Sequence, residues 1–367
     1  MTQFRRKPLH HYEDPLARVW TACAERIGFR IERSPNVYAS TDGRGTIFIG
    51  TDDILDPDDS LAQMILHELC HALVEGDEGE SLPDWGLDNT CGRHTWRERA
   101  CLRLQAYLTA AVGLREFFAP TTDFRVTFWN SLPEDPFRAP EEAGGRRERS
   151  CVAARLAAWR ASQPRWQPHL QIALNASAAI AGAVAAATME VRPAGSAEAD
   201  GSTLPSLWQT VAPPPARHPS GHSFVAAYHG RAGCADCAWC HESRGGLRCR
   251  HAPGVKLAAD TPACARWEPA DELDCLSCGA CCREAYHSVE ISAREPVNRL
   301  HPSLVVVEPT RRKLRRDGDR CAALAGGTTA VEPYACAIYD DRPRTCRDFT
   351  RGSANCLDAR RRVGLSL

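Results

Sequence analysis

Apolar residues recur at helical spacing through Leu16, Val19, Trp20 and Cys23, and Pro15 suits a first turn, so the pattern predicts a helix over Pro15–Gly28. Two short strand-like runs follow, Asn36–Ala39 and Thr46–Ile49, and Gly43 and Gly45 between them suit a hairpin turn. An acidic loop leads into a helix from about Ser60 to Val74, and another helix spans about Trp96 to Phe118. In the Ser60–Val74 segment, Leu61, Ile65, Leu69 and Leu73 form one stripe. Met64, His67, His71 and Val74 form another, so this helix is expected to be largely buried. Residues 126–189 carry two more helical patterns, parted by the proline-containing stretch Gln163–Pro168. The later one, Leu170–Met189, is mostly alanine and is interrupted by Gln171, Asn175, Ser177 and Gly182. A membrane span wants about 20 strongly apolar residues, so it reads as a helix of a soluble protein. From Val191 to His222 the periodicity gives way to Pro, Ala, Ser and Gly, the composition of a linker.

These patterns predict an α+β chain. A helix-rich domain over 1–125 is followed by a helical extension over 126–189 and a linker over 190–228. Two small modules with little regular structure, 229–270 and 271–367, complete it. The charged residues change this picture little: 45 basic against 46 acidic leave a formal charge of -1, which excludes a polybasic nucleic-acid binder as the whole-chain identity. The run Arg311–Arg316 has no aromatic platform beside it and reads as one exposed strand ahead of a turn at Gly318.

The cysteines change it more. Of 18, 13 lie between Cys234 and Cys356. Met1–Pro15 has no apolar core, so no secretory signal and a cytosolic location are expected, and clustered CxxC pairs in that setting point to metal before disulfides.

The first half carries His67-Glu68-Leu69-Cys70-His71, an H-E-x-x-H pattern inside the buried helix. Histidines four apart share a helix face about 5–6 Å apart and can bind one ion, with Glu68 beside them as a general base toward water. Residues 51–90 hold 12 acidic side chains and no Lys or Arg, a field that favours a cation. Glu98 is the preferred third ligand and His94 the alternative. Thr95-Trp96-Arg97-Glu98 also reads as a capping box, which would turn Glu98 back on its own helix.

An HExxH helix followed by a helix carrying Glu resembles the gluzincin type of metallopeptidase. The residues His67–His71, Gly76, Asp84-Trp85-Gly86, Glu98 and Gln105-Ala106 also resemble the elongation factor P hydroxylase family, over Leu61 to Leu114. That resemblance implies metal-dependent hydroxylation of a protein side chain.

In the small module, Cys234-x2-Cys237-x2-Cys240, Cys249 and Cys264 offer five thiols for a Zn²⁺ or an iron–sulfur cluster, one more than four-coordination needs. Cys234, Cys237, Cys249 and Cys264 are the favoured set, with Cys240 spare and Trp239 and Trp267 shielding them. His241 and His251 are possible alternative ligands, though each alone reads as a surface residue.

The last module opens with Cys275-x2-Cys278-Gly279-x-Cys281-Cys282, followed by Cys321, Cys336, Cys346 and Cys356. It resembles the CxxCxxCC family, zinc- or iron-chelating domains also called the YkgJ-like cysteine cluster. Eight thiols are too many for one tetrahedral ion, and adjacent Cys281 and Cys282 cannot easily face the same one. Two centres, a cluster plus an ion, or a structural thiol all remain open. Arg283, Arg342 and Arg347 stand near enough in sequence to balance thiolate charge.

The expected function is a cytosolic multi-metal protein that joins an HExxH enzyme, hydroxylase-like, to zinc, iron or iron–sulfur thiolate modules. A zinc peptidase and a non-catalytic metal chelator or sensor are the alternatives. A protein is the expected substrate, and neither a membrane nor a nucleic acid is an expected partner.

Overall fold

The computed structural model describes residues 12–88, 92–140, 142, 144–188, 216–225, 228, 230, 232–283, 286, 288–327 and 332–367. Most of the expected linker lies outside them.

Helix α1 (Pro15–Ile27) starts on Asp14, whose carboxylate accepts the Ala17 amide, and stops at left-handed Gly28. A three-stranded sheet follows: β1 (Arg30–Ser34), β2 (Ala39–Thr41) and β3 (Thr46–Gly50), in the order β1-β3-β2. The β2–β3 hairpin turns through Gly43 and Gly45, both at positive φ. A Cβ on Gly43 would stand 2.7 Å from the Leu82 backbone, so the hairpin needs glycine there to dock. Strand β1 was not predicted. It pairs parallel to β3, and its sequence RIERS has one apolar residue, because its side chains are only partly buried.

Helix α2 (Leu61–Glu80) begins with a reciprocal capping box between Ser60 and Gln63, and is buried on nearly every side, as two apolar stripes require. Its helical φ/ψ breaks at Gly76 (φ 67°, ψ -167°). There the Arg160 guanidinium donates to the carbonyls of Leu73 (2.7 Å) and Val74 (2.8 Å), which end the helical run. Helix α3 (Thr95–Ala110) ends eight residues before the predicted boundary: Gly113 turns left-handed, and Leu114, Phe117 and Phe118 fold back into the core.

Helices α4 (Arg149–Ala161) and α5 (His169–Thr188) share that core. Ala154, Ala157, Leu170, Ala173 and Leu174 join Trp20, Ile65 and Leu69 in one apolar cluster, whose members are drawn from Leu16 to Ala181. Among the described residues one helix, His169–Ala187, is long and apolar enough to cross a membrane by length and composition. One face of it packs on α1, where Trp20 Nε1 donates to the buried Ser177 hydroxyl at 3.0 Å.

The cysteine-rich half holds a meander, β4 (Cys240–Ser243), β5 (Gly246–Cys249) and β6 (Ala252–Leu257), then short hairpins and a closing helix α6 (Ala354–Arg362). The basic run forms strand Arg312–Leu314, paired with Val305–Val307. Arg311 and Lys313 both meet Glu308. The two halves touch: buried Arg155 donates to the Gly364 and Phe137 carbonyls, and Tyr228 donates to Asp135. The molecule thus has both helices and sheets, as expected of an α+β chain.

Candidate metal centres

The face of α2 that carries His67 and His71 meets α3 at Glu98. His71 Nε2 lies 3.1 Å from His67 Nε2 and 3.2 Å from Glu98 Oε2, and His67 Nε2 lies 3.5 Å from Glu98 Oε1. Those separations suit the edges of a tetrahedron whose ligands stand about 2.0–2.1 Å from a central ion. The outer shell agrees. Gln105 gives its amide N–H to the Phe118 carbonyl, which leaves Oε1 as an acceptor 3.1 Å from His67 Nδ1. The proton of His67 therefore sits on Nδ1, and the Nε2 lone pair faces the centre, the tautomer a metal ligand needs. The donor set fits a divalent ion such as zinc or iron.

The capping-box alternative for Glu98 is not used. His94 occupies the N-cap of α3 without a side-chain cap bond, and Glu98 points at the histidines. His94 instead accepts the Asp88 amide at 2.8 Å on the cleft wall. The buried Cys101 thiol forms a second possible ligand group with the pair: one nitrogen of each histidine and its sulfur all lie within 4.8 Å of one another, the sulfur 3.6 Å from Nδ1 of His67.

Burial works against a charged His71, yet Glu98, helped by Glu68 and Glu75, carries its pKa up to about 9. Burial likewise opposes a charged Glu98, and His67 and His71 hold its carboxyl down at about 2. His71 and Glu98 thus form a mutually stabilised ion pair. Glu68 is buried, and its Oε2 accepts the Trp85 indole N–H at 2.7 Å. His67, Glu68, His71, Trp85 and Glu98 line a cleft of about 540 Å³, whose wall includes Tyr38, Met64, Leu87 and Phe124.

In the small module a turn at Cys234–Asp236 presents Cys234 and Cys237, and the β4–β5 register sets Cys240 opposite Cys249. The Cys240 thiol bonds with those of Cys234, Cys237 and Cys249, which raises its pKa and lowers theirs, Cys249 to about 6. Cys240, set aside on spacing, is therefore central to the group. Cys264 is a more distant neighbour of the same thiols, its thiol pushed up to about 11 mainly by burial. Sequence reasoning missed His218, buried, with Nε2 3.1 Å from Cys234 Sγ and Nδ1 held by Ser220. Trp239 is buried here and Trp267 donates to the Gly233 carbonyl. His251 is no surface residue: its ring packs 4.1 Å from Trp239, and burial with Arg266 nearby depresses its pKa.

In the last module, Cys278, Cys321 and Cys356 are buried and Cys281, Cys282, Cys336 and Cys346 half-buried, while Cys275 is exposed. Arg342 stands close enough to act on Cys336 and Cys346. Arg283 packs over Tyr334, and Arg347 makes no described contact with a thiol. The arginine that touches sulfur is Arg360, which no local pattern singled out: it donates to Cys278 Sγ at 3.3 Å and to Glu268 at 2.5 Å.

Comparison with curated proteins finds no match, and comparison with solved structures finds none either. Residues 274–361 match the CxxCxxCC family model, described as "Putative zinc- or iron-chelating domain", so this chain carries a cysteine-rich metal-chelating domain at its C-terminal end.

Proposed function

We propose that His67, His71 and Glu98 hold a catalytic metal ion and that the chain is a metal-dependent enzyme acting in the cleft above them. The observation that carries this reading is the convergence of both Nε2 atoms and both Glu98 oxygens within 3.1–3.5 Å on the wall of that cleft. Three protein ligands leave a position for water or substrate, the mark of a catalytic site as against a closed structural one. The ion, when bound, supplies Lewis acidity toward a carbonyl and toward water. Glu98, as the anionic ligand, would offset part of the ion's charge. Gln105 holds His67 in its tautomer. Glu68, with Oε2 fixed by Trp85, takes the proton of an attacking water on Oε1 and returns it to the leaving group. That sequence is hydrolysis, and an amide or ester of a protein or peptide is the substrate class.

A second reading is favoured by the ligand set itself. Two histidines and one carboxylate also hold iron in oxygenases, and here they share a chain with a chelating domain. Under that reading the cleft hydroxylates a protein side chain. Both readings place the enzyme in the N-terminal core, the thiolate modules at 229–270 and 271–367, and the chain in a reducing compartment such as the cytosol, where thiols persist.

The full chain, purified without oxygen, is the test. The His71→Ala variant should lose one equivalent of metal and keep its thiolate-bound metal. Retention of the full complement would refute the centre. Cleavage of a peptide library under strict anaerobiosis supports hydrolysis, whereas oxygen-dependent gain of one oxygen atom supports hydroxylation.

A further inference from the structure

We propose that the eight thiols of the C-terminal domain form two separate four-thiolate centres, each for one ion: Cys275, Cys278, Cys281 and Cys356 in one, and Cys282, Cys321, Cys336 and Cys346 in the other. This rests on the domain's being a metal chelator and goes on to say how many centres it has and who holds each.

The dividing line is one peptide bond wide. Cys275–Cys278 is a single helical turn, Gly279 reverses the chain at φ 67°, and Ala280–Cys282 is a tight turn. Gly279 is required, since a Cβ there would stand 2.5 Å from the Tyr334 ring. Past this reversal the two neighbouring cysteines part. Cys281 packs with Cys278, Ala280, Ala359 and Val363. Cys282 packs with Cys321, Ile291, Val297 and Ile338, in the cluster that also takes up Cys336 and Cys346. Six of the eight thiols thus sort into two apolar surroundings, and the sulfurs of Cys281 and Cys282 stand 3.9 Å apart across the line.

The first group walls a cavity of about 30 Å³ bounded by Cys275, Cys278, Cys281, Cys356 and Arg360. That is space of the order of one or two waters, which suits a single ion. Cys356 lies in the first turn of α6, where Ser353 caps its amide, and Arg360, one turn on, reaches Cys278. A helix N-terminus and a buried guanidinium both offset the negative charge that four thiolates leave on a divalent ion. In the second group the amides of Ala323 and Ile338 bond to the sulfurs of Cys321 and Cys336. Such N–H···S bonds stabilise bound thiolate. With metal–sulfur bonds of about 2.3 Å, the two ions lie at most about 8.5 Å apart.

Cobalt replacement in the full chain tests this. Cys281→Ser and Cys282→Ser, one residue apart, should each remove one cobalt equivalent and its share of thiolate-to-cobalt absorption, and the double variant should remove two. If either single variant loses as much as the double, the thiols serve one centre and the proposal falls. A measurement on the unmutated chain avoids any folding defect: stepwise chelation with alkylation and peptide mapping should release the thiols in the two named sets. Release of Cys281 and Cys282 in the same step, with all eight, overturns the proposal. Absence of any protected thiol before chelation overturns metal binding by the domain as well.

Discussion

The indole Nε1 of Trp85 donates to Oε2 of Glu68 across 2.7 Å, and both side chains are buried. The bond exists because Asp84 and Trp85 both take left-handed backbone, at φ 50° and 57°, which costs about 1–3 kcal/mol at each non-glycine residue. The turn is held by Asp84, whose Oδ1 accepts the Ser40 hydroxyl and the Thr41 amide, and by the Trp85 ring against Phe29. A strained turn thus aims one oxygen of the candidate general base.

Trp85→Phe keeps an aromatic ring, smaller than the indole, and removes the donor. A hydrogen bond to a charged group contributes about 1.5–3 kcal/mol, so urea unfolding should show a loss in that range with metal content unchanged. Unaltered stability would mean that the indole does not hold Glu68.

The His71–Glu98 attraction makes the metal-free protein pH-sensitive. The pKa of folded His71, about 9, lies above its ordinary 6.5. Its stabilisation is therefore complete below pH 6.5 and disappears as pH rises through 9. Glu98 mirrors this at acid pH: its carboxyl, at about 2, stabilises above the usual 4.5 and loses the effect as pH falls through 2. Both shifts describe one interaction, worth about 3 kcal/mol and counted once. Chelator-treated wild type should lose stability between pH 6.5 and 9 relative to Glu98→Gln treated alike. Parallel curves would show that the pair is not charged.

The meeting of His67, His71 and Glu98 was legible because its logic is local. Two histidines four apart on a helix must share a face, and a carboxylate in the first turn of the next helix can reach them. Other parts were hidden for physical reasons. β1 was invisible because a half-exposed strand keeps a polar sequence, and the parallel partner that defines it lies 16 residues away. The overlong α3 followed a real apolar pattern that continues past Gly113, where φ 78° ends the helix while the same residues stay in the core. Cys240 looked surplus from spacing, yet hairpin register put it opposite Cys249. His218 and Arg360 meet Cys234 and Cys278 from 16 and 82 residues away, and a lone histidine or arginine has no periodicity to betray it.

Gly76 ends the run of α2 that carries His67 and His71 at a φ/ψ that only glycine adopts without strain, and a Cβ there would stand 2.7 Å from Arg160 Cζ. Gly76→Ala therefore strains the backbone and pushes Arg160 off the Leu73 and Val74 carbonyls. The expected cost is at least about 1–3 kcal/mol, read from the urea midpoint. Arg160→Ala, which removes the clash but not the strain, should not restore the double variant. Full recovery would locate the defect in the side-chain clash alone.

Arg360 binds the two cysteine modules to each other. Its guanidinium reaches Glu268 from the small module, Cys278 from the large one, and the Ser366 hydroxyl and Leu365 carbonyl of the tail, all in a buried setting. Removing one partner of a buried pair costs about 3–5 kcal/mol. Arg360→Met should lose that much in denaturant unfolding, and adding Glu268→Gln should recover a substantial part. Arg360→Lys should not substitute, since one ammonium cannot span a sulfur, a carboxylate, a hydroxyl and a carbonyl set around a planar fork. Because the same side chain bridges both modules, Arg360→Met should also speed chelator extraction of metal from both. Faster loss from the Cys278 centre alone would show that Glu268 does not transmit the coupling.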